Sequence, residues 1–482
     1  MEILIFIVLS AGAAMAAICF SYSLIWSNNH IYNNSNLRAK IILWLVYGGM
    51  GVSIAISGRS LNAIALLDTL GTAASFLSTL VERGVILVFT AFIAYSAVQA
   101  ISAFRTFEIT NKTIFVLIFF CFGIASPILA ATFGTNSQFS PLYLMAPLVF
   151  ISIIIGLDME MEDFLRALKG PIFFLLAGSC LFMILAPAVV LEPYSIGKIP
   201  LFKYRLWGLT LHSNTLGPLG FLLLLTELCV KSKSVIARAL TLTVALSCFT
   251  LAQSKTAWIA GLFSISLLFF LNLTFDSKVS TLHRALRFYA LALVVFCVVA
   301  LLALNLNLVL SGLEDKSLGN GNFSGRPAIW TVAVSEWLKN PIFGYGPSIW
   351  SSEFRQIVGM NFAFHAHNQF YQIIGESGLI GLSSLVIYVS VVMYAAYRDF
   401  KSKRYFLLVY LIFVIIRSFS EPTLRLINAL GGDIMVHLPL FVLTYIALAS
   451  RDGKNKAIHS FGLNSTGAGF HNSILMRNKI VQ

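Results

Sequence analysis

Residues 214–273 have the sequence NTLGPLGFLLLLTELCVKSKSVIARALTLTVALSCFTLAQSKTAWIAGLFSISLLFFLNL. This stretch contains three apolar runs, at about 214–230, 235–251 and 256–273, which are separated only by short polar turns. A helix needs about 20 mostly apolar residues to cross the hydrocarbon core of a bilayer. Three runs close to this length in direct succession predict membrane-spanning helices rather than a soluble core.

Similar apolar runs occupy most of the remaining chain. They lie at about 3–26, 41–57, 85–104, 113–133, 139–157, 171–192, 288–311, 372–397, 405–420 and 429–450. The first run has no basic residue before it and no cleavage site after it, so we expect a retained span. A weaker run at 62–81 contains Asp68 and either crosses the membrane or lies on its surface. We therefore expect an all-α, polytopic membrane helix bundle with about 12 to 14 transmembrane helices.

The composition agrees with a membrane protein along the whole chain. Of the 482 residues, 58% are hydrophobic and only 11% are charged, whereas a soluble domain carries about 25% charged residues. The net charge of +13 comes from basic residues in short loops and not from one patch, so nucleic acid is not an expected partner. All six cysteines lie in apolar runs without CxxC spacing, and we expect small buried side chains there.

Four parts follow from the hydropathy pattern. They are N-terminal transmembrane helices at 1–312, a long polar segment at 313–371, C-terminal transmembrane helices at 372–450 and a polar tail at 451–482 that we expect to be disordered. The basic loop 398–404 is expected in the cytoplasm, because cytoplasmic loops carry the excess of Lys and Arg. Alternation backwards then places 313–371 and about 193–213 outside, and the tail inside. The side of the N-terminus stays open.

Two candidate residues lie in the outer loop at about 193–213 and at its end. Asn214 precedes an apolar run, and asparagine is a preferred N-cap residue, so we expect it at the N-cap of that span. Arg205 would then lie near a helix N-terminus, where free N–H groups favour an anion. The alternative is an interfacial arginine that extends to lipid headgroups.

The next candidates lie at two further predicted helix starts. Lys255 lies in the turn between two closely spaced spans, at their outer end. Arg326 precedes Pro327, and the stretch from Pro327 to about Lys339 repeats apolar residues at helical spacing. We expect a helix on the membrane surface there, with Trp330 in the interfacial belt.

His365, His367 and Asn368 precede the span that begins near Gln369. Asn368 is expected to cap this helix and to hold His367 at the rim of the bundle. A metal site would need a third ligand, and no HxxxH motif or carboxylate cluster is present in the sequence nearby. A general base is the favoured interpretation, because histidine titrates near neutral pH without help.

Arg417 is an ionisable residue inside the predicted span 405–420, and Glu421 follows one turn later. Charged residues within spans are costly and usually face the interior of the bundle. The two side chains either form a structural ion pair or Arg417 contacts a substrate.

Taken together, these pieces resemble the shared core of the O-antigen ligase and Wzy-type polymerase superfamily. The resemblance covers about 193–425 and depends on an ordered set of short motifs. The motifs are Arg205…Gly208…His212-Ser-Asn214, Ser254-Lys255-Thr256, Ser324-Gly-Arg326 with Trp330, Asn340-Pro-Ile-Phe-Gly-Tyr-Gly346, His365-Ala-His367-Asn368 and Gly378-Leu-Ile-Gly-Leu382. The Ser-Gly-Arg, Gly-Tyr-Gly and Ser-Lys-Thr variants are most similar to exopolysaccharide polymerases of the ExoQ kind.

The resemblance implies a GT-C-like fold and a glycosyltransferase of the bacterial inner membrane, with its active site facing the periplasm. The implied catalytic residues are Arg205 and Arg326, which would bind a diphosphate, and His367, which would act on the acceptor hydroxyl. The remaining candidates are expected to contact substrate. They are Lys255, where many relatives have Arg, and Asn214, Asn368, His365 and Arg417.

The implied donor is an oligosaccharide on undecaprenyl diphosphate, and the acceptor is a glycan. We expect a metal-independent reaction with inversion and no cofactor, because arginines can replace Mg²⁺ in stabilising the leaving group and no paired-aspartate motif is present in the external segments. Membrane lipids, a flippase and a chain-length regulator are further expected partners.

Three functions remain open. A polymerase would join lipid-linked repeat units to one another, and a ligase would transfer the finished glycan to lipid A–core. A secondary transporter also has many spans and a few intramembrane charges.

Overall fold

The computed structural model describes residues 35–64, 76–103, 109–194, 203–274, 325–426 and 429–449, with the single positions 199, 288 and 292. Helices dominate these ranges, and the strands described in them form one antiparallel pair of three residues each. The predicted all-α class is therefore confirmed.

The helices are numbered here in chain order. They are α1 (Ser35–Leu43), α2 (Gly49–Ile56), α3 (Leu61–Ile64), α4 (Phe76–Ala103), α5 (Asn111–Phe120), α6 (Ser126–Phe133), α7 (Leu142–Ile154), α8 (Met161–Leu185), α9 (Pro187–Val190), α10 (Ser213–Cys229), α11 (Val235–Leu251), α12 (Lys255–Thr274), α13 (Arg326–Lys339), α14 (Ser352–Ile357), α15 (Gln369–Lys401), α16 (Phe406–Ser418) and α17 (Gly432–Ala449). The strands are β1 (Leu191–Pro193) and β2 (Tyr204–Leu206). Short π-helical segments, Trp44–Gly48 and Cys121–Ala125, join α1 to α2 and α5 to α6.

Several of these helices match the predicted membrane spans. Within the described ranges, seven helices are long and apolar enough to cross a membrane. They are Asn36–Ile56, Phe76–Ile101, Asn111–Phe133, Met161–Leu185, Lys255–Asn272, Gln369–Lys401 and Gly432–Ala449. Three shorter apolar helices, α7, α11 and α16, accompany them. The chain is a multi-pass membrane bundle, as predicted.

The total number of spans stays a prediction. The apolar runs at 3–26 and 288–311 lie outside the described residues, apart from positions 288 and 292, and so does the middle of the weak run at 62–81. The predicted disordered tail at 451–482 also lies outside them.

The centre of the bundle is formed by α10, whose residues 215–227 are all buried. Gly220 allows this helix to contact α11 directly, since a Cβ there would lie 2.7 Å from the backbone nitrogen of Phe249. Small residues at such crossings let membrane helices pack at close range. The position of α10 matters for function because its first turn carries Asn214 to one end of the bundle.

α17 contains Pro439, which has no N–H to donate to the carbonyl of Met435 one turn earlier. The hydroxyl of Tyr47 donates to this carbonyl at 2.6 Å. The neighbouring carbonyl of Val436 accepts from the hydroxyl of Tyr410 at 2.7 Å. A hydroxyl from the π-helical segment between α1 and α2 therefore satisfies the carbonyl that Pro439 leaves without a helical donor, which would otherwise be costly in an apolar bundle.

α15 is interrupted at Gly378, where φ is 57° and ψ is −149°. The turn at 341–345 lies against this break, and the two backbones are so close that a Cβ on Gly344 would lie 2.7 Å from the nitrogen of Gly378. Three backbone hydrogen bonds join the turn to the helix. They are Leu379 N to Pro341 O at 2.9 Å, Ile380 N to Ile342 O at 3.2 Å and Tyr345 N to Gly375 O at 2.9 Å.

The predicted amphipathic helix is present as α13; it begins at Arg326, one residue before the predicted start at Pro327, and ends at Lys339 as predicted. Its apolar face is buried against protein at Ile329 and Ala333, which have no exposed surface. The indole of Trp330 is stacked on the ring of Tyr371, with centroids 4.9 Å apart and planes 13° apart. Trp330 is partly buried and packs on Tyr371, and its position in the interfacial belt stays a prediction.

Candidate active site

Arg205 extends into the candidate site from the short sheet, where it pairs with Glu192 of β1. Its Nε donates to the carbonyl of Ala252 at 3.0 Å, and its Nη2 donates to Oδ1 of Asn214 at 2.8 Å. The guanidinium lies 5.4 Å from the ring centre of Tyr194. Burial lowers the pKa of Arg205 from its ordinary value, but an arginine remains charged at neutral pH. The result is a fixed cation at the N-terminal end of α10.

The sequence predicted Asn214 as the N-cap of α10, and this prediction is wrong. The cap is His212, whose Nδ1 accepts from the backbone N–H of Asn214 at 3.0 Å. Burial, reinforced by the charge of Arg205, lowers the pKa of His212 to about 3, so the ring is neutral and can accept. The side chain of Asn214 is released to connect Arg205 with Glu421, to which its Nδ2 donates at 2.6 Å.

Arg59, which the sequence analysis did not single out, holds the loop between β2 and α10. Its guanidinium donates to the carbonyls of Val189, Gly208 and Thr210 at 2.7 to 3.0 Å. Burial lowers the pKa of Arg59 to about 10. This arginine therefore orders the loop that presents His212.

Glu421 lies at the centre of the site and is only 3% exposed. Besides Asn214, three side chains surround its carboxylate. The contacts are His367 Nδ1 to Oε1 at 3.3 Å, His365 Nε2 to Oε2 at 3.6 Å and Arg326 Nη2 to Oε1 at 3.6 Å. A buried carboxylate with this many partners organises its neighbours as well as being stabilised by them.

Two opposing effects act on the ionisation of this carboxyl group. Burial opposes the charged form of Glu421, but the hydrogen bond with His367 and the electrostatic interactions with His365, His367 and Arg417 outweigh burial. The net effect holds the pKa of Glu421 below its usual range. Glu421 is therefore an anion at neutral pH, as its cationic surroundings require.

The two histidines have different hydrogen-bonding roles. The backbone N–H of His367 donates to Nδ1 of His365 at 3.1 Å. Burial lowers the pKa of His365 well below its ordinary value, so the ring is neutral and its one proton is on Nε2, facing Glu421. On His367 the nitrogen that faces the carboxylate is Nδ1, which leaves Nε2 for a further partner.

The loop that carries these histidines ends at a helix cap. Asn368 caps α15, as predicted, and its Oδ1 accepts from the backbone N–H groups of Phe370 and Tyr371. His367, just before the cap, has a φ of +49°. This left-handed conformation costs about 1–2 kcal/mol for a residue with a Cβ.

A metal ion is a possible occupant by distance alone, because ligand atoms of His365, His367 and Glu421 lie within 4.8 Å of one another. Local sequence around the histidines does not reveal this third ligand, because Glu421 is 54 residues from His367. A metal ion on Nε2 of His365 would require that nitrogen to be unprotonated, and Nδ1 is also unprotonated because it accepts a backbone N–H. A neutral imidazole has a proton on one of its two nitrogens, so the contacts favour a histidine–carboxylate pair.

Arg326 is the first residue of α13, directly after Gly325. Gly325 has a φ of +65°, and a Cβ there would lie 2.6 Å from the ring of Phe362. The Ser-Gly-Arg motif therefore needs glycine for both conformation and space. The side chain of Arg326 is 31% exposed, so one guanidinium edge faces Glu421 while another part remains accessible.

Lys255 is the exposed first residue of α12. The preceding turn lies beside the sheet, because Ala252 accepts from Arg205 and Gln253 donates to the carbonyl of Tyr204 at 2.6 Å. The turn that precedes Lys255 therefore contacts the side chain of Arg205. A contact between Lys255 and substrate stays a prediction.

Arg417 is 2% exposed and lies behind Asn214 and Glu421. Its guanidinium donates to the backbone carbonyl of Asn214 at 2.5 Å and to Oγ1 of Thr423 at 2.9 Å. These contacts hold the loop that carries Glu421 against α10. The substrate contact proposed for Arg417 from the sequence stays a prediction.

We call the connected group of Arg205, Asn214, Arg326, His365, His367 and Glu421 the polar cluster. Of the predicted catalytic residues, the structure brings Arg205, Arg326 and His367 together in it. Glu421 was considered in the sequence only as a partner of Arg417, although it connects all the others. The available signal was a carboxylate in the loop directly after a span that contains an arginine.

Residues 240–386 match the family model described as Wzy_C, O-antigen ligase. The match contains Lys255, Arg326, His365, His367 and Asn368, and it confirms the resemblance to the O-antigen ligase and Wzy-type superfamily that the sequence motifs indicated. No curated protein matches the chain.

Proposed function

With residues 240–386 as an O-antigen ligase domain, we propose that the protein is a polysaccharide polymerase. It transfers a glycan from undecaprenyl diphosphate to another lipid-linked repeat unit at the periplasmic face of the bacterial inner membrane. The observation that carries the proposal is the pairing of His367 with the buried carboxylate of Glu421, beside two arginines. This arrangement joins a base for a hydroxyl group to cations for a phosphorylated leaving group.

The proposed base is His367. Because Glu421 is an anion, it favours the tautomer with a proton on Nδ1, so that Nε2 has the lone pair that accepts a proton. The acceptor hydroxyl oxygen attacks C1 of the donor sugar as its proton passes to Nε2 of His367. The carboxylate then stabilises the imidazolium that forms, as it does in histidine–carboxylate pairs generally.

The proposed leaving group is undecaprenyl diphosphate, which departs with the electrons of the broken C1–O bond. Arg326 and Arg205 supply the positive charge that this step requires, and Arg326 has the more exposed guanidinium. Direct displacement by the acceptor inverts the configuration at C1. Fixed cations in a site of low dielectric constant stabilise such charge without rearranging during the reaction.

Metal independence is part of the proposal. It is supported by the backbone hydrogen bond to Nδ1 of His365, which keeps the proton on the nitrogen that a metal would need. It is also supported by the closeness of Arg326 to Glu421, because a divalent cation on that carboxylate would be repelled by the guanidinium.

The periplasmic location is supported by the helical hairpin of α15 and α16. The polar cluster lies at the open end of this hairpin, where α15 begins after Asn368 and where α16 is followed by Glu421. The closed end carries the basic stretch 398–404. Basic turns concentrate in the cytoplasm, which assigns the cluster to the opposite side.

A ligase is the second candidate, because the matching family model bears that description. A ligase would use the same donor chemistry but transfer the glycan to lipid A–core. A transporter is disfavoured, because transporters bind substrate near the middle of the spans, whereas the polar cluster is formed by loops and first helical turns.

Deletion of the gene distinguishes polymerase from ligase. Loss of a polymerase leaves single repeat units or no polymer, whereas loss of a ligase leaves long polymer on the carrier lipid. Glycolipids extracted from the deletion strain are separated by size, and the strain is complemented with wild type and with His367→Ala. Restoration of polymer by His367→Ala would overturn the proposed enzyme.

A further inference from the structure

Ala366 lies between the two histidines and has both of its backbone polar groups held by side chains. Its carbonyl accepts from Nε1 of Trp330 at 2.8 Å, and its N–H donates to Oε1 of Gln372 at 2.7 Å. Ala366 has no exposed surface. A backbone that is held from both sides in this way has little freedom to rotate.

The two side chains that hold Ala366 belong to different helices, and each is itself fixed. Trp330 of α13 is stacked on Tyr371 with planes 13° apart. Gln372 of α15 donates from Nε2 to Oε1 of Glu376 at 2.5 Å, and Glu376 accepts from Arg425 at 2.8 Å. The loop is therefore anchored to α13 by Trp330 and to α15 by Gln372.

The residue that follows Ala366 is in an unfavourable conformation. His367 has a φ of +49°, and residues with a Cβ leave the left-handed region unless their surroundings prevent it. Rotation of this backbone would move the imidazole away from Glu421. Something must therefore prevent the relaxation, and the hydrogen bonds to the carbonyl and the N–H of Ala366 are in position to do so.

We propose that Trp330 and Gln372 are positioning residues that hold His367 in its left-handed conformation with Nδ1 against Glu421. This inference rests on the proposed role of His367 as the base. Each side chain is hydrogen-bonded to the backbone of Ala366 and acts on His367 through that backbone. The tryptophan after the Ser-Gly-Arg motif thus has a function beyond the packing of α13.

Trp330→Phe is the first test, because it keeps an aromatic ring to stack on Tyr371 and removes only the indole N–H. Trp337→Phe is the matched control, since Trp337 lies on the same helix and donates to the carbonyl of Pro341 at 3.0 Å, away from the histidines. Both variants are purified into proteoliposomes with lipid-linked glycans extracted from the source strain. Size-exclusion profiles and thermal melts compare their folding.

We expect Trp330→Phe to lower kcat about five- to tenfold, the change that one lost hydrogen bond supports, with the donor KM altered less than about twofold. Trp337→Phe should leave both constants unchanged. Gln372→Met, which keeps the length of the side chain but removes the acceptor for Ala366, should reproduce the loss in kcat. Equal behaviour of Trp330→Phe and Trp337→Phe would overturn the proposal.

A double-mutant cycle separates positioning from general loss of structure. In a Glu421→Gln background the carboxylate that His367 must face is gone, so Trp330→Phe should lower kcat by less than about twofold further. Fully multiplicative effects contradict the proposal. If His367→Ala is as active as wild type, the proposed function itself fails, and that result is independent of the comparison between the two tryptophans.

Discussion

Oε1 of Glu421 lies 3.3 Å from Nδ1 of His367, although 54 residues separate them in the chain. Between them α15 runs to the far end of the bundle and α16 returns, so the contact is made by the two open ends of one helical hairpin. Packing along this hairpin therefore determines the distance between the proposed base and its carboxylate.

The first prediction concerns the base. His367→Ala should lower the transfer rate about 10²- to 10⁴-fold, the range that a positioned general base contributes. Radiolabelled or fluorescent lipid-linked glycan is incubated with the purified variant, and the product is quantified after separation. Donor binding measured separately should stay close to wild type, and a rate within threefold of wild type would be inconsistent with a base at this position.

The second prediction concerns Glu421 and pH. Because its pKa is held below the usual range in the folded state, its stabilising contribution is fully present above the ordinary glutamate pKa of about 4.3 and is lost as pH falls below it. Glu421→Gln should melt at a lower temperature at pH 7, since about 1–3 kcal/mol accompanies loss of a charged hydrogen-bond partner.

The melting-temperature difference between wild type and Glu421→Gln should shrink as the pH is lowered from about 5 towards 3. Thermal unfolding in detergent, followed by intrinsic fluorescence at a series of pH values, measures it. A difference that is constant across this range would show that the carboxylate is not an anion in a cationic environment.

The third prediction separates the two arginines. Arg326→Ala should raise the donor KM about 10- to 100-fold, the effect of one or two charge-assisted hydrogen bonds to phosphate. Arg326→Lys should recover only part of this, because lysine lacks the planar fork. Arg205→Lys should also reduce thermal stability, since Arg205 donates to both Ala252 and Asn214. Unchanged donor affinity in Arg326→Ala would exclude Arg326 from the diphosphate site.

The fourth prediction concerns metal ions. Excess EDTA should leave the rate unchanged, because the contact between His367 N–H and His365 Nδ1 disfavours a metal on the histidine pair. The same assay with Mg²⁺ or Zn²⁺ added back provides the comparison. Complete loss in EDTA with recovery on adding Mg²⁺ would refute the substitution of arginines for a metal.

The fifth prediction concerns the fold. Tyr47→Phe should destabilise the protein by about 1–3 kcal/mol, because it leaves the carbonyl of Met435 without the hydroxyl that satisfies it. In a Pro439→Ala background the helix can supply its own N–H to that carbonyl, so Tyr47→Phe should cost less there. Melting temperatures of the four proteins of this cycle test the expectation, and equal costs in both backgrounds would contradict it.

Local sequence patterns predicted much of the framework. The limits of α11, the cap at Asn368 and the end of α13 at Lys339 all followed from apolar period and cap chemistry. These features depend on residues within a few positions of one another. Patterns that extend over only a few residues can be recognised in a single sequence.

Contacts between distant segments could not be predicted in the same way. The position of Glu421 depends on how α15 and α16 pack, and no local rule links it to His365 or Arg326. Asn214 was expected to cap a helix, but the neutral ring of His212 competes successfully for that N–H. Amphipathic spacing in α13 also does not show whether its apolar face contacts lipid or protein, and the structure buries Ile329 and Ala333 against protein.

The interruption of α15 at Gly378 has a consequence for protein engineering. The Gly-Tyr-Gly turn and the Gly378-Leu-Ile-Gly-Leu382 stretch are two separate motifs in the chain, but backbone hydrogen bonds make them a single unit in space. A chimera that exchanges the external loops of two relatives with a junction before Gly378 would therefore divide this unit. Junctions after Leu382 would preserve it and should give functional hybrids more often.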